Sequence, residues 1–279
     1  MDSRAIEQRL TQATDIAHQA GEILLSHYGR LAGYEAKAKN DLVTVADRES
    51  EAFIAAELSR RFPADLLVLE ETDGPAGALA RRAAIEAAEL AWCVDPLDGT
   101  TSFIHSYPVF AVSIGLLSKG RPVAGVIYAP AKGETFRGGV GVAPQFFGPR
   151  APEGAPLKVS TAPSLDRALI GTGFSRGKPE GNERTLAIVR EVLVHAHDIR
   201  RAGAAALDLC DVACGRVEGF FQEGLAPWDL AAGQAILEAA GGRLTTYDEA
   251  PHGIFSATTL ATNALIHHDL AAAIRRTTT

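Results

Sequence analysis

Two aspartates, Asp95 and Asp98, flank Pro96 and Leu97, and Gly99-Thr100-Thr101 follows at once. Carboxylate oxygens are the ligands that a hard cation such as Mg²⁺ prefers, and Mg²⁺ commonly keeps waters and shares phosphate oxygens. A helical turn opening at Gly99 and Thr100 would aim free N–H groups at an anion. Gly99 has no Cβ, so a phosphate could approach the backbone closely. The apolar, β-prone run Leu90–Val94 should end a buried strand just before the aspartates. Trp92–Phe103 therefore reads as a strand that delivers two carboxylates beside a helix start, a place for a cation and a phosphate together.

The remaining elements must position that stretch. Ile6, Leu10, Ala13, Ala17, Ala20 and Leu24 recur at helical spacing and predict a long amphipathic helix over 3–28, stopped at Gly29. A second helix is expected over Ser50–Arg61, and a strand over Leu66–Leu69 with Glu70 at its end. Val109–Leu117 and Val123–Tyr128 predict an antiparallel hairpin turning at Lys119-Gly120. Gly138–Pro156, rich in Gly and Pro, reads as a long loop and as the seam between halves 1–150 and 151–279. Beyond it, strands at Leu169–Thr172, Asp198–Arg200, Gly219–Gln222 and Leu260–Thr262 alternate with helices at Glu183–His195, Ala204–Cys214, Asp229–Ala240 and Leu265–Arg275. Such alternation implies an α/β layer.

Composition excludes several classes. The 279 residues can bury a large core. With 27 basic and 34 acidic side chains the net charge is −7, and no long basic block stands out, which argues against nucleic acid as the main partner. No run of about 18 uncharged apolar residues offers a membrane span. The opening MDSRAIEQRL is charged and unlike a signal peptide, so a cytoplasmic protein is expected. Three cysteines suit a reducing compartment. Cys210 and Cys214, four apart on a helix, read as small core residues rather than a metal or redox pair, and Cys93 as core too.

Asp95-Pro96-Leu97-Asp98-Gly99-Thr100-Thr101 resembles the signature of the inositol monophosphatase family of Mg²⁺-dependent, lithium-sensitive phosphatases. Three more segments support the resemblance in the same order. Lys37–Asp47 resembles K-x-x-x-D-x-V-T-x-x-D, and Val68–Thr72 resembles G-E-E-[ST] with Leu69 in place of the glycine. Pro227–Gly242 resembles W-D-x-A-A-G…E-A-G-G, so the likeness runs from about residue 37 to about residue 242. It implies a five-layer α-β-α-β-α sandwich, of the type shared with fructose-1,6-bisphosphatase, with the site between two sheets.

It also implies roles. Glu70 and Asp95 with the Leu97 carbonyl would hold one Mg²⁺, and Asp95, Asp98 and Asp229 a second, giving two or three ions per site. Asp98, Gly99 and Thr100 would meet the phosphate. Asp47 would orient the Thr100 hydroxyl, and with Glu70 these would act on the attacking water. Arg200–Leu209 resembles R-x-x-G-[ST]-A-A-x-x-L, which places Gly203, Ala204 and Ala205 beside the substrate, with Ala204 in place of a hydroxyl residue. Ungapped alignment on Trp228-Asp229 puts Gln222 where inositol-specific members carry a glutamate; a one-residue gap puts Glu223 there. The implied activity is hydrolysis of inositol monophosphate or a related sugar or polyol phosphate, by a homodimer. Histidinol phosphate, fructose bisphosphate and nucleotide 3′-phosphate are alternatives on the same fold, with Phe174 as a shelf for a base. A regulatory partner that retains the fold is another.

Each candidate has a plainer use. Asp229 and Asp47 would both serve as helix N-caps. Lys37, expected near a third ion or the phosphate, could be solvated. His105 follows the signature where N-F-x-H is common, without a mark of catalysis. His195, His197, His267 and His268 lack partners at metal spacing and are expected at the surface.

Overall fold

The computed structural model describes residues 2–31, 33–38, 41–174 and 179–277. The chain opens with α1 (Ser3–His27), the hairpin β1 (Glu35–Ala38) and β2 (Asp41–Val43), and α2 (Val45–Arg61). Next come β3 (Leu66–Leu69), α3 (Glu70–Ala80), α4 (Arg82–Ala87), β4 (Ala91–Asp98) and the short α5 (Thr100–Ile104). A meander follows: β5 (Ala111–Ser118), β6 (Arg121–Ala129), β7 (Glu134–Gly139), β8 (Val142–Gly148) and β9 (Ala151–Pro156). The rest is β10 (Leu169–Thr172), α6 (Pro179–His195), β11 (Asp198–Arg200), α7 (Ala205–Ala213), β12 (Gly219–Glu223), α8 (Pro227–Ala239), β13 (Arg243–Thr245), β14 (Thr258–Thr262) and α9 (His267–Arg275).

Strands β3 to β9 form one seven-stranded sheet in sequence order, parallel only between β3 and β4. A second, five-stranded sheet runs β11-β10-β12-β14-β13. Helices α1 and α2 cover the outer face of the first sheet, α7 and α8 fill the space between sheets, and α6 and α9 cover the second sheet. The layers are α-β-α-β-α, as the resemblance implied. Each interface has its own apolar core, with Leu10, Ile16, Trp92 and Phe110 on the outer side of the first sheet. Phe220, Leu209 and Ile236 lie between the sheets, and Phe221, Leu270 and Ile274 under α6 and α9.

Gly138–Pro156 is not a loop: it carries the end of β7 and all of β8 and β9. Its glycines serve packing, because a Cβ on Gly139 would lie 2.5 Å from the Val123 carbonyl oxygen. Helix α2 begins five residues before the expected Ser50, at a capping box. Thr44 is the N-cap, and Asp47 takes the Thr44 N–H at 2.8 Å. Asp47 is therefore not the N-cap itself. His267 is also not at the surface. It is fully buried, with Nε2 2.8 Å from Thr245 Oγ1 and Nδ1 2.8 Å from Thr262 Oγ1. Desolvation pushes its ring down to about 4.

Candidate active site

In a strand, residues three apart point to opposite faces, so Asp95 and Asp98 would normally diverge. The pairing of β4 with β5 prevents this. Asp95 faces Ser113 and Asp98 faces Ala111, so three steps on β4 oppose two on β5. That one extra residue is a β-bulge at Pro96-Leu97, and it restores Asp98 to the face of Asp95. The bulge is pinned from behind by Ser50, whose hydroxyl donates to the Pro96 carbonyl at 3.1 Å. Asp95 itself accepts the Leu97 N–H at 2.9 Å.

Asp229 arrives from the opposite side on the first turn of α8. Pro227 opens that helix, Ala226 is its N-cap, and Asp229 accepts the Ala226 N–H at 2.7 Å. Capping thus occupies one carboxylate oxygen from the third helical position, not from the N-cap. Helix α8 can lie close to the sheet because β5 carries Gly115, where a Cβ would sit 2.6 Å from that of Ala231. Ser113 further ties the sheet to the Trp228 carbonyl at 3.3 Å.

Asp95, Asp98 and Asp229 consequently bring one oxygen each to within 4.8 Å of one another. Glu70, at the start of α3, lies outside this trio but hydrogen-bonds Asp95. Burial, and then the charges of Glu70, Asp98 and Asp229, push the Asp95 carboxyl well above the usual carboxylate range. So many acids in one buried place repel each other unless a proton or a cation intervenes. The donor set, all hard oxygen and facing one point, fits Mg²⁺.

Around this trio the remaining predicted residues assemble. Thr100 is buried, and its hydroxyl lies 3.2 Å from Asp47 Oδ1 and 3.1 Å from the Leu97 carbonyl. Asp47 is also buried, and its other oxygen accepts the Thr44 hydroxyl at 2.6 Å. Gly99 adopts φ +92°, with no room for a Cβ, which would lie 2.6 Å from the Val109 carbonyl oxygen. Asp98 accepts the Ala206 N–H at 2.8 Å, which docks the first turn of α7 and brings Gly203, Ala204 and Ala205 beside the bulge. Ala204 lies 3.3 Å from the position a Gly99 Cβ would take.

The pleat of β12 separates the two candidates for the substrate-side position. Phe220 packs between the sheets and Phe221 packs under α6 and α9, so Gln222 faces the site layer and Glu223 the outer layer. A Cβ on Gly173, the residue after β10, would run into Gln222, so the Gln222 amide lies close against the Gly173 backbone. Glu223 pairs with Arg184 at 3.0 Å, and Arg184 lies over the Tyr247 ring. Gln222 thus shares the Phe220 face of β12, and Glu223 the Phe221 face.

Some expectations fall elsewhere. The Lys37 side chain, Lys39 and Asn40 lie outside the described residues. His105, His195 and His197 are exposed, as is His268. Phe174 is half-buried. Cys93, Cys210 and Cys214 are free, and burial pushes all three thiols up. Among the described residues the acidic trio is the one group of three or more His, Cys, Asp or Glu side chains arranged to hold a metal.

One positioning residue escaped the sequence reading. Glu51 is buried and accepts the Glu71 N–H at 2.6 Å and the Thr72 hydroxyl at 2.6 Å, holding the start of α3 and with it Glu70. Its signal was present: Asp47, Ser50, Glu51, Ile54 and Leu58 share one buried stripe of α2. Polar residues on an apolar stripe need partners.

Known proteins resemble this chain over nearly its full length. Residues 5–279 match the model of the inositol monophosphatase family. The inositol-1-monophosphatase of Synechocystis sp. is 38% identical over 266 residues, 95% of this chain and 88% of that protein. The Nus factor SuhB of Escherichia coli is 37% identical over 240 residues, 85% of each chain. The solved structure of an inositol monophosphatase from Anabaena superposes with a TM-score of 0.81 at 37% identity, covering 98% of this chain and 97% of that one. An IMPase from Thermotoga maritima superposes with a TM-score of 0.83 at 29% identity, covering 97% and 98%.

Proposed function

The chain belongs to the inositol monophosphatase family and is a phosphoric monoester hydrolase, and on that premise we propose that it hydrolyses inositol monophosphate or a related sugar or polyol phosphate with Mg²⁺. The observation that carries this reading is the convergence of Asp95, Asp98 and Asp229 within 4.8 Å, delivered by a bulge and a helix start. Glu70, Asp95 and the Leu97 carbonyl would hold one ion, and Asp95, Asp98 and Asp229 another. Bound there, Mg²⁺ supplies charge that acidifies a water and stabilises the leaving oxygen.

The chain's own groups do the rest. Asp47, locked by Thr44, accepts a hydrogen bond from the Thr100 hydroxyl, which leaves a Thr100 lone pair free to accept a hydrogen bond from the attacking water and orient it. Glu70 stands near enough to Asp95 to share that task. The N–H groups of Gly99 and Thr100 face the phosphate, and Gly203, Ala204, Ala205 and Gln222 face the alcohol. Gln222 offers a neutral amide in place of a carboxylate, so it reads a hydroxyl more weakly and with both donor and acceptor. Selection for inositol over other polyols is correspondingly loose. A homodimer in the cytoplasm belongs to the same reading, supported by the family and by three free cysteines. The kinship with SuhB, named a Nus factor, keeps a regulatory role as a second reading. Intact carboxylates favour hydrolysis.

The test is a panel of phosphate monoesters assayed with Mg²⁺, for the wild type and Asp229→Asn. Release from sugar and polyol phosphates, lost in the variant, supports the reading. A protein that releases phosphate from none of them contradicts it.

A further inference from the structure

The strand that delivers Glu70 is an edge strand. β3 ends the seven-stranded sheet and pairs with β4, and the Leu66 N–H points inward to the Leu90 carbonyl. Backbone groups alternate sides along a strand, so Leu67 and Leu69 aim theirs at the free edge. Two side chains fill that edge. The Leu69 N–H donates to Asp73 Oδ2 at 2.9 Å. Arg81 Nη1 donates to Asp73 Oδ1 at 2.5 Å, and Arg81 Nη2 donates to the Leu67 carbonyl at 2.9 Å. One carboxylate and one guanidinium thus close a ring from Leu69 back to Leu67, where a further strand would otherwise bind.

The turn that follows draws little support from its own helix. Glu70 to Asp73 form the first turn of α3, but Gly74 has φ +63°, outside the helical range, and Pro75 brings no N–H. A single turn does not hold itself. Leu69, its N-cap, offers no side-chain cap. Glu51 holds the turn from the α2 side, and Asp73 with Arg81 holds it from the sheet edge. Glu70 lies between these anchors and hydrogen-bonds Asp95. Leu69 is in register with Val94, so Glu70 and Asp95 are the next residues on adjacent chains. A change of chain direction at Leu69 would carry the Glu70 carboxyl away from Asp95. The anchoring pair is shielded, with Asp73 11% exposed and Arg81 35%. It also lies within the field of the site: burial, then the charges of Asp229 and Asp73, push the Cys93 thiol up.

We propose that Asp73 and Arg81 are positioning residues for Glu70, and that their clamp on the free edge of β3 sets the affinity of the site for the Mg²⁺ that Glu70 helps to hold. This rests on the metal-dependent reading above. Charge and position predict opposite signs for loss of Arg81. If Arg81 only neutralised Asp73, removing it would leave an extra negative charge near the site and tighten cation binding. If it positions Glu70, removing it weakens binding.

The experiment is calorimetric titration of metal-free protein with Mg²⁺, for the wild type, Arg81→Met, Arg81→Lys, Glu70→Gln and the double variant Glu70→Gln/Arg81→Met. Thermal melts in chelator confirm that each is folded. Arg81→Met should weaken one Mg²⁺ step about 10- to 100-fold, the range for groups that orient a metal ligand. Arg81→Lys keeps the charge but not the planar fork, and should fall between Arg81→Met and the wild type. In the Glu70→Gln background, Arg81→Met should add less than about 2-fold, because the two changes act through one carboxylate. Binding that is unchanged or tighter in Arg81→Met would overturn the clamp, and so would a full additional loss in the Glu70→Gln background. Were Arg81→Met unfolded, Arg81→Lys with and without Glu70→Gln decides by the same comparison. A wild type that binds no Mg²⁺ would strike the metal-dependent reading and the clamp with it, whereas one that binds Mg²⁺ regardless of Arg81 would strike the clamp alone.

Discussion

Replacing Asp95 by Asn should abolish turnover and at the same time stabilise the metal-free fold. The reason is electrostatic. Asp95, Asp98 and Asp229 bring oxygens within 4.8 Å of each other. Two unit charges at that separation repel by roughly 3.5 kcal/mol at an effective dielectric of about 20. Asp95 takes part in two of the three pairs and also faces Glu70. Protonation relieves part of this in the wild type, since the Asp95 carboxyl is already raised. The net gain from Asp95→Asn is therefore smaller, about 1–3 kcal/mol, which for a domain of this size is roughly 2–10 °C in Tm. The amide keeps an oxygen that can accept the Leu97 N–H, so the bulge survives. The assay is thermal unfolding at pH 8 in chelator and in excess Mg²⁺. In chelator the variant should melt above the wild type. In Mg²⁺ the wild type should gain more than the variant, closing or reversing the gap. A variant no more stable than the wild type in chelator, or a wild type indifferent to Mg²⁺, would refute the reasoning.

Other outcomes follow from single contacts. Thr100→Val removes the hydroxyl that links Asp47 to the site; kcat should fall about 100- to 10,000-fold with KM nearly unchanged, and a large rise in KM instead would place Thr100 in binding. Gln222→Glu should shift relative kcat/KM toward inositol monophosphate by about 1–3 kcal/mol across a panel of esters, and equal changes for all esters would remove Gln222 from substrate reading. His267 has a folded value near 4, below its unfolded 6.5, so the fold favours the neutral ring and its contribution is complete above pH 6.5. That contribution is lost as pH falls from 6.5 toward 4, by roughly 1–2 kcal/mol near pH 5 after allowing for screening. His267→Gln should flatten this acid limb in denaturant titrations; an unchanged limb would assign it to other groups.

Much of the site was legible because its chemistry lies in short local strings. Asp95 to Thr101, Glu70-Glu71-Thr72 and Trp228-Asp229 each carry their turn residue, cap or carboxylate within a few positions. Less legible was how they come to face one point. The bulge that realigns Asp98 depends on β4 pairing with β5, and the docking of α7 depends on an N–H reaching Asp98 from far along the chain. The meander β7–β9 was obscured by glycine and proline, which here permit close packing rather than irregular chain: Gly148 lies against the Phe146 ring and Gly154 against the Phe147 ring. His267 looked like a surface residue because its partners, Thr245 on β13 and Thr262 on β14, meet it at the start of α9 only once the strands pair. The early start of α2 was readable in principle, since Thr44-x-x-Asp47 has the spacing of a capping box.

The most direct measurement is phosphate release from inositol monophosphate by the wild type as free Mg²⁺ is raised from chelated zero. Carboxylates that converge as these do require a saturable rise from no detectable activity, full recovery when Mg²⁺ is restored, and no recovery in Asp95→Asn at any Mg²⁺ concentration. Release that persists at a near-normal rate in excess chelator would contradict the assignment of Asp95, Asp98 and Asp229 as the seat of a metal-dependent hydrolysis.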